Sequence, residues 1–283
     1  MTATYAQLLL AATQHLQTVG ISSPAYEARQ LVLLASGLTA EGLIAREQDD
    51  ATPAHRAALT ELLDQRAARR PLAHLSGWVD FYGLRLKSDA RALIPRSDSE
   101  CVVDVALARI PEQAEWRIAD LGTGSGALLA ALLHSRPSVC GTAIEASAEA
   151  GALAQENFDH LDLTDRAELF IGSWAAWTGW ERCDLIVSNP PYIRSETLLT
   201  LEPEVRDFDP RKALDGGQDG LACYRNMLAR AAEHMRAGTH LVLEIGYDQN
   251  QPVSDLLKQH GFADLSHHRD LGGNDRVIAA SKT

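Results

Sequence analysis

Trp116–Ser135 reads WRIADLGTGSGALLAALLHS, and in that stretch a strand, a loop and a helix follow without a break. Ile118, Ala119 and Leu121 form a short apolar run, Gly122, Gly124 and Gly126 interrupt it, and Ala127–Ser135 is rich in helix formers. Glycines suit such a loop because it must turn tightly and let a ligand approach its backbone, while the helix N-terminus adds free N–H groups. An acidic residue ending the next strand would accept hydrogen bonds from ribose hydroxyls, and Glu145, at the end of VCGTAIE, is placed for that. Gly122, Gly124 and Ala127 also satisfy the dinucleotide pattern G-x-G-x-x-G/A, so the loop points to a nucleoside cofactor without saying which.

Outward from this unit, residues 96–283 alternate strand and helix patterns, as expected of a doubly wound, mostly parallel α/β sheet covered on both faces. Seven strand candidates stand out: WRIADL, VCGTAIE, AELFIG, CDLIVSN, HLVLEIG, ADLSHH and RVIAAS. Upstream, residues 1–75 read as a small helical bundle. Thr52-Pro53 supplies a cap and a first-turn proline, Leu59, Leu62 and Leu63 recur at helical spacing, and Arg69-Arg70-Pro71 stops the run. Ser22-Ser23-Pro24 starts an earlier helix. Residues 76–95, with Gly77 and Gly83 among alternating apolar positions, predict a hairpin-like connector.

The chain's 283 residues are 46% hydrophobic and 23% charged, a soluble globular composition with room for two domains. No apolar run approaches a membrane span and the N-terminal residues lack a signal peptide's pattern, so a cytoplasmic location away from membranes is expected. Cys101, Cys140, Cys183 and Cys223 have no paired spacing, which argues against a zinc site or disulfides and for reduced thiols buried as small hydrophobes. A formal net charge of -12 opposes nonspecific attachment to a phosphate backbone, so no direct nucleic-acid partner is expected.

CDLIVSNPPYIRSE raises a second question, because Asn189-Pro190-Pro191-Tyr192 follows an apolar strand directly. Proline removes a ladder donor and ends the strand, leaving a rigid backbone whose carbonyls point in fixed directions. Alone, the tetrad could be a strand-terminating turn. In a doubly wound sheet, however, ligands sit beyond the C-terminal strand ends where strand order reverses. If CDLIVSN is the fourth strand and lies beside the first, Asn189 faces the glycine loop across that crevice.

The combination D-x-G-x-G-x-G, an acidic strand end and N-P-P-Y resembles S-adenosylmethionine-dependent methyltransferases that modify planar, conjugated nitrogens. RRPLAHLSG, FYGLRL, ALIPRSDSE, IADLGTGSGALLAALL, SNPPYI, EVRDFDPRKALDGGQDGLACYR, LEIGYDQ and DLGGNDRV occur in order. Together they resemble the bacterial peptide chain release factor glutamine methyltransferases, the PrmC or HemK family, over nearly the whole chain. The resemblance implies a class I methyltransferase fold, S-adenosylmethionine as cofactor, and as substrate the Gln side-chain amide in the Gly-Gly-Gln loop of class 1 release factors. It implies that Asn189 and the Pro190 carbonyl accept the two amide N–H bonds, with Pro191 and Tyr192 completing the substrate pocket. Gly122, Thr123, Gly124, Ser125 and Gly126 would hold the methionine part, Glu145 the ribose, and Trp174 the adenine. Asn189 would also touch the cofactor. No metal is implied, the helical domain would recognise the substrate, and a monomer is expected.

Three positions depart from the family pattern. Glu145 and Ser173 stand where Asp is common, and Ser97-Asp98-Ser99-Glu100 replaces a Pro-x-Thr-Glu run. Arg96 and Glu100 either shape the mouth of the site or form a structural pair. A ribosomal-protein glutamine methyltransferase is the chemically identical alternative. A DNA or RNA adenine N6-methyltransferase shares the tetrad but would have to extract its base, and the chain shows no basic recognition domain. An NAD-linked dehydrogenase has no use for the tetrad, and a noncatalytic docking protein would be expected to lose it or the glycines.

Overall fold

The computed structural model describes residues 3–283, which divide into a unit ending at Gly77 and a second unit, Trp78–Thr283. The first unit is helical: α1 (Tyr5–Thr18), α2 (Pro24–Ser36), α3 (Ala40–Ala45), α4 (Pro53–Ala67) and α5 (Leu72–Ser76). Thr52 caps α4 by accepting from the His55 amide at 3.2 Å, and Gly37 ends α2 at φ 67°, a left-handed stop that glycine adopts freely. Leu16, Leu31, Val32, Leu43 and Leu59 form its core.

The second unit opens with a hairpin, β1 (Trp78–Phe81) and β2 (Leu84–Lys87), joined by Tyr82-Gly83. Both turn residues have positive φ, 50° and 74°, the mirror-image turn whose twist matches that of the strands. After α6 (Glu100–Leu107) come β3 (Arg117–Leu121), α7 (Ala127–Ser135), β4 (Cys140–Glu145), α8 (Ala148–His160), β5 (Ala167–Ile171), β6 (Leu185–Ser188), α9 (Pro203–Phe208), α10 (Ala222–His234), β7 (His240–Glu244), α11 (Asn250–Gln259), β8 (Phe262–Arg269) and β9 (Asp275–Lys282). Among the described residues the main sheet has seven strands in the order β5-β4-β3-β6-β7-β9-β8. β3 through β7 pair in parallel, while β9 is antiparallel to both β7 and β8.

Side chains alternate across the sheet. Ile118, Leu185 and Val187 enter a core with α6, α7 and the hairpin, while Ala119, Leu121 and Ile186 enter another with α10 and α11. Burial on both faces explains why the strands read as continuous apolar runs. Helix α7 is buried from Ala127 through Leu133, so its sequence shows no polar face. Of the four cysteines only Cys183 is buried, a correction to the expectation for the other three, which are half-exposed because they sit at element ends.

Gly126 caps α7 at φ 83°, and a Cβ placed there would lie 2.9 Å from the Phe158 ring and 3.2 Å from Ala154. Left-handed backbone and overpacking act together at this position, and Gly126→Ala should cost roughly 2–4 kcal/mol of stability. Urea unfolding measures this, and an unchanged midpoint would contradict it.

Candidate active site

The site forms where the strand order reverses, between β3 and β6. Asp120 pairs with Val187, so Leu121 and Ser188 end their strands side by side, and the Ser188 hydroxyl donates to the Leu121 carbonyl at 2.6 Å. Gly122 and Asn189 therefore leave adjacent strands at the same level. The glycine loop turns through φ 75° at Gly122 and 57° at Gly124, and beside Gly124 a Cβ would meet only open space. Thr123 and Ser125 are buried within the loop. Asn157, fully buried on α8, holds it from behind by donating to the Ser125 carbonyl at 2.9 Å. The same side chain accepts from the Lys87 amide at 2.7 Å and donates to the Lys87 carbonyl at 3.2 Å, which ties the hairpin to the loop.

Glu145 ends β4 half-buried, and its carboxylate receives the Gly124 amide at 2.9 Å and the Ser147 amide at 2.8 Å. Each oxygen keeps acceptor capacity for a further donor. Trp174 stands on the other side of the loop, with its ring 3.6 Å from where a Gly122 Cβ would be and its indole N–H donating to Asn226 at 2.7 Å. Ser173 is exposed, and its hydroxyl accepts from the Ala175 amide at 3.1 Å.

Beneath the loop, Asp120 is buried. Its Oδ2 accepts the Thr123 hydroxyl at 2.6 Å, while Oδ1 makes no hydrogen bond. Burial pushes its pKa up to about 7, against the pull of the Thr123 hydroxyl and the Leu129 amide.

Asn189 donates through Nδ2 to the Ser99 hydroxyl at 3.1 Å, and Pro190 is buried behind it. The Tyr192 hydroxyl donates to Glu244 at 3.0 Å, and burial first, then the Glu244 charge, raises its pKa. The backbone of Tyr192 is fixed by the segment Gly216–Gly220. Gln249 donates to the carbonyls of Tyr192 at 3.0 Å and Gly220 at 3.2 Å, and a Cβ on Gly220 would lie 2.4 Å from the Tyr192 oxygen. Only glycine permits that approach.

Arg96 and Glu100 do not pair with each other. The Arg96 guanidinium binds Asp209 at 2.6 Å and Glu100 accepts the Tyr82 amide at 2.7 Å, so each braces a different segment. Asn157, Asp209, Gln249 and Glu244 escaped sequence reasoning, and Ser99 stood out only as part of a run that departs from the family pattern. Only Asn157 left a local signal, standing on the apolar face of α8 with Ala150, Leu153, Ala154 and Phe158. A separate cavity of about 590 Å³ opens near the starts of β3, β4 and β5, at the opposite strand ends from these residues.

A parallel sheet with a glycine loop after its first strand, an acidic end to the second and Asn-Pro-Pro-Tyr after the fourth defines the class I methyltransferase fold. A methyltransferase from Pyrococcus furiosus shares the fold, with a TM-score of 0.52 at 16% identity over 71% of this chain and 89% of that one. Residues 7–77 match the PrmC N-terminal domain and residues 102–201 the methyltransferase small domain. The release factor glutamine methyltransferase of Caulobacter vibrioides is 39% identical over 282 residues, covering 100% of this chain and 98% of that protein. That of Moorella thermoacetica is 39% identical over 278 residues, covering 98% of each. The chain belongs to the release factor glutamine methyltransferase family.

Asp120 gives a test of site electrostatics that needs no substrate. The unfolded chain releases this proton near the ordinary value of 3.8, whereas the folded protein keeps it to about 7. Between those values the folded state binds more protons, so its stability falls as pH rises through the window. Asp120→Asn removes that loss, and the variant should gain stability relative to the parent from about pH 4 to about pH 7. Denaturant titrations at both ends check this, and a pH-independent difference between the two proteins would contradict it.

Proposed function

We propose that this protein transfers a methyl group from S-adenosylmethionine to the side-chain amide nitrogen of the Gln in the Gly-Gly-Gln loop of a class 1 peptide chain release factor. The observation that carries the proposal is the adjacency of Gly122 and Asn189 at the β3 and β6 strand ends, in a chain whose full-length relatives are release factor glutamine methyltransferases.

The residues fit the cofactor. Glycines at positions 122 and 124 leave the loop backbone open to a ligand, Asp120 keeps one buried carboxylate oxygen unfilled beneath that loop, and Glu145 retains lone pairs for ribose hydroxyls. The Trp174 ring beside Gly122 suits the flat adenine. Bound there, S-adenosylmethionine supplies a methyl group already activated by its sulfonium.

The protein's task is then to hold the nucleophile. A carboxamide nitrogen is weak because its lone pair is delocalised into the carbonyl. Asn189 Oδ1 and the Pro190 carbonyl accept its two N–H groups, orient the lone pair and stabilise positive charge as the methyl arrives. Tyr192 packs against the amide plane, with Pro191 stiffening the turn between them. Positioning of this kind is worth about 7–11 kcal/mol in favourable cases, so no strong base is required.

The helical unit serves recognition of the whole substrate protein, since binding energy remote from the reacting atom raises specificity over any exposed Gln. Leu10, Tyr26 and Ile44, each 61% exposed, supply apolar surface for such contacts. Among the described residues no helix is long and apolar enough to cross a membrane, and a cytoplasmic location suits a partner in translation termination.

Incubation with labelled S-adenosylmethionine and, separately, a release factor, a ribosomal protein and duplex DNA tests the function, with label expected on the release factor. Glu145→Ala should weaken cofactor binding by about 1.5–3 kcal/mol in calorimetry. Asn189→Ala should lower kcat by roughly 100-fold or more while the fold survives. Near-normal turnover of the Asn189 variant would sink the mechanism, and label confined to the ribosomal protein or DNA would redirect the substrate.

A further inference from the structure

Behind Asn189 lies a set of buried polar groups that the transfer itself leaves unused. Ser99 holds the N-cap position of α6, where a serine ordinarily caps the helix, yet its side chain makes no capping bond. Instead the hydroxyl, on a residue only 4% exposed, accepts from Asn189 Nδ2 at 3.1 Å. Glu244, 2% exposed at the end of β7, faces the same group. Its Oε1 accepts the Tyr192 hydroxyl at 3.0 Å, and Arg276 donates to that same phenol oxygen at 3.4 Å. Burial raises the Glu244 pKa, the neighbouring Ser99 hydroxyl counters that rise, and Oε2 makes no hydrogen bond.

Hydrogen-bond polarity gives this arrangement a direction. A carboxylate only accepts, and a buried one is driven to find donors. Tyr192 has one proton and gives it to Oε1, its own acceptor role being filled by Arg276. Ser99 also has one proton. Given to Oε2, it leaves the hydroxyl oxygen able only to accept, and the bond from Asn189 must then run from the amide NH2, as observed. Asn is nearly symmetric in shape, so its two orientations differ almost wholly in which atom faces which neighbour. With Nδ2 committed to Ser99, Oδ1 is the atom left for the substrate.

We propose that Glu244 is a positioning residue of the methyl transfer, acting through Ser99 to hold the Asn189 amide with its carbonyl toward the substrate nitrogen. The proposal rests on the reading in which Asn189 accepts a substrate N–H. It extends the site from the Asn-Pro-Pro-Tyr turn to the end of β7 and the start of α6, two elements that contribute no atom to the reacting groups.

Glu244→Gln is the direct test. It keeps the volume and lets the side-chain oxygen still accept from Tyr192, but turns an NH2 donor toward Ser99. The buried serine proton then lacks its carboxylate acceptor, which favours a rotated Asn189 amide that accepts it through Oδ1 and presents Nδ2 to the substrate. The expected result is a fall in kcat on release factor of roughly 100-fold, with cofactor affinity within about twofold of the parent and cooperative unfolding retained. Ser99→Ala should lower kcat about 10-fold, and Ser99→Thr, which keeps a hydroxyl, should recover most of that loss. In the Ser99→Ala background Glu244→Gln should cost less than about threefold more, because the relay is already cut.

The proposal is overturned if Glu244→Gln stays within about threefold of the parent, or if its effect is undiminished without Ser99. If Glu244→Gln does not fold, the serine pair decides alone: Ser99→Ala equal to the parent, or Ser99→Thr no better than Ser99→Ala, overturns it. Failure of the underlying reading looks different. The parent enzyme would then leave release factor unmethylated, or Asn189→Ala would turn over normally.

Discussion

Everything at the site depends on the parallel pairing of β3 with β6. These strands are close neighbours in space but distant in sequence, and two loops leave them in opposite directions: the glycine turn into α7, and the proline turn toward α9. The Ser188 hydroxyl, donating to the Leu121 carbonyl at 2.6 Å, closes the ladder at the last residue before both loops. A slip of one residue would exchange the two cores, since Leu121 and Ile186 face one side and Ile118, Leu185 and Val187 the other. Packing on both faces thus fixes the register, and the register sets Gly122 level with Asn189.

Around that crevice the protein buries charge that a purely structural design would avoid. Asp120, Asp209 and Glu244 are all nearly inaccessible, and burial raises the proton affinity of each. Asp209 is compensated by Arg96 and by the Ile94 amide at 3.4 Å, so it reads as a brace for the segment leading into α6. Asp120 and Glu244 each keep one oxygen without a partner. The first lies under the glycine loop and the second under the Asn-Pro-Pro-Tyr turn, the two places where the reaction's partners have to be held. Incomplete satisfaction of buried polar groups is costly, and its concentration here fits a site whose hydrogen bonds are completed by ligands.

Sequence carried the parts of this site whose signals are local. Glycines at alternate positions, an acidic residue at a strand end, and two prolines after an apolar run each impose a backbone outcome within a few residues. Caps such as Thr52 and Gly37, and the Tyr82-Gly83 turn, are legible for the same reason. The clamps are not local. Asp209 reaches Arg96 across 113 positions, Asn157 reaches Lys87 across 70, and Gln249 reaches Tyr192 across 57. Arg96 and Glu100, four apart, invited a pairing that the fold does not make, because each finds a partner on another segment. A chain folded on this sheet can choose among many distant polar groups, and one sequence does not reveal the choice.

The central claim is that one crevice holds the methyl donor and the amide acceptor together, with Asn189 on the acceptor. A bisubstrate compound, in which a glutamine side-chain amide is joined covalently to the adenosyl amino acid, measures this in a single titration. Calorimetry should find it roughly 100-fold or more tighter than the adenosyl half alone, with most of that advantage lost in Asn189→Ala. Binding no tighter than the adenosyl half, or an advantage that survives the substitution, would contradict the account.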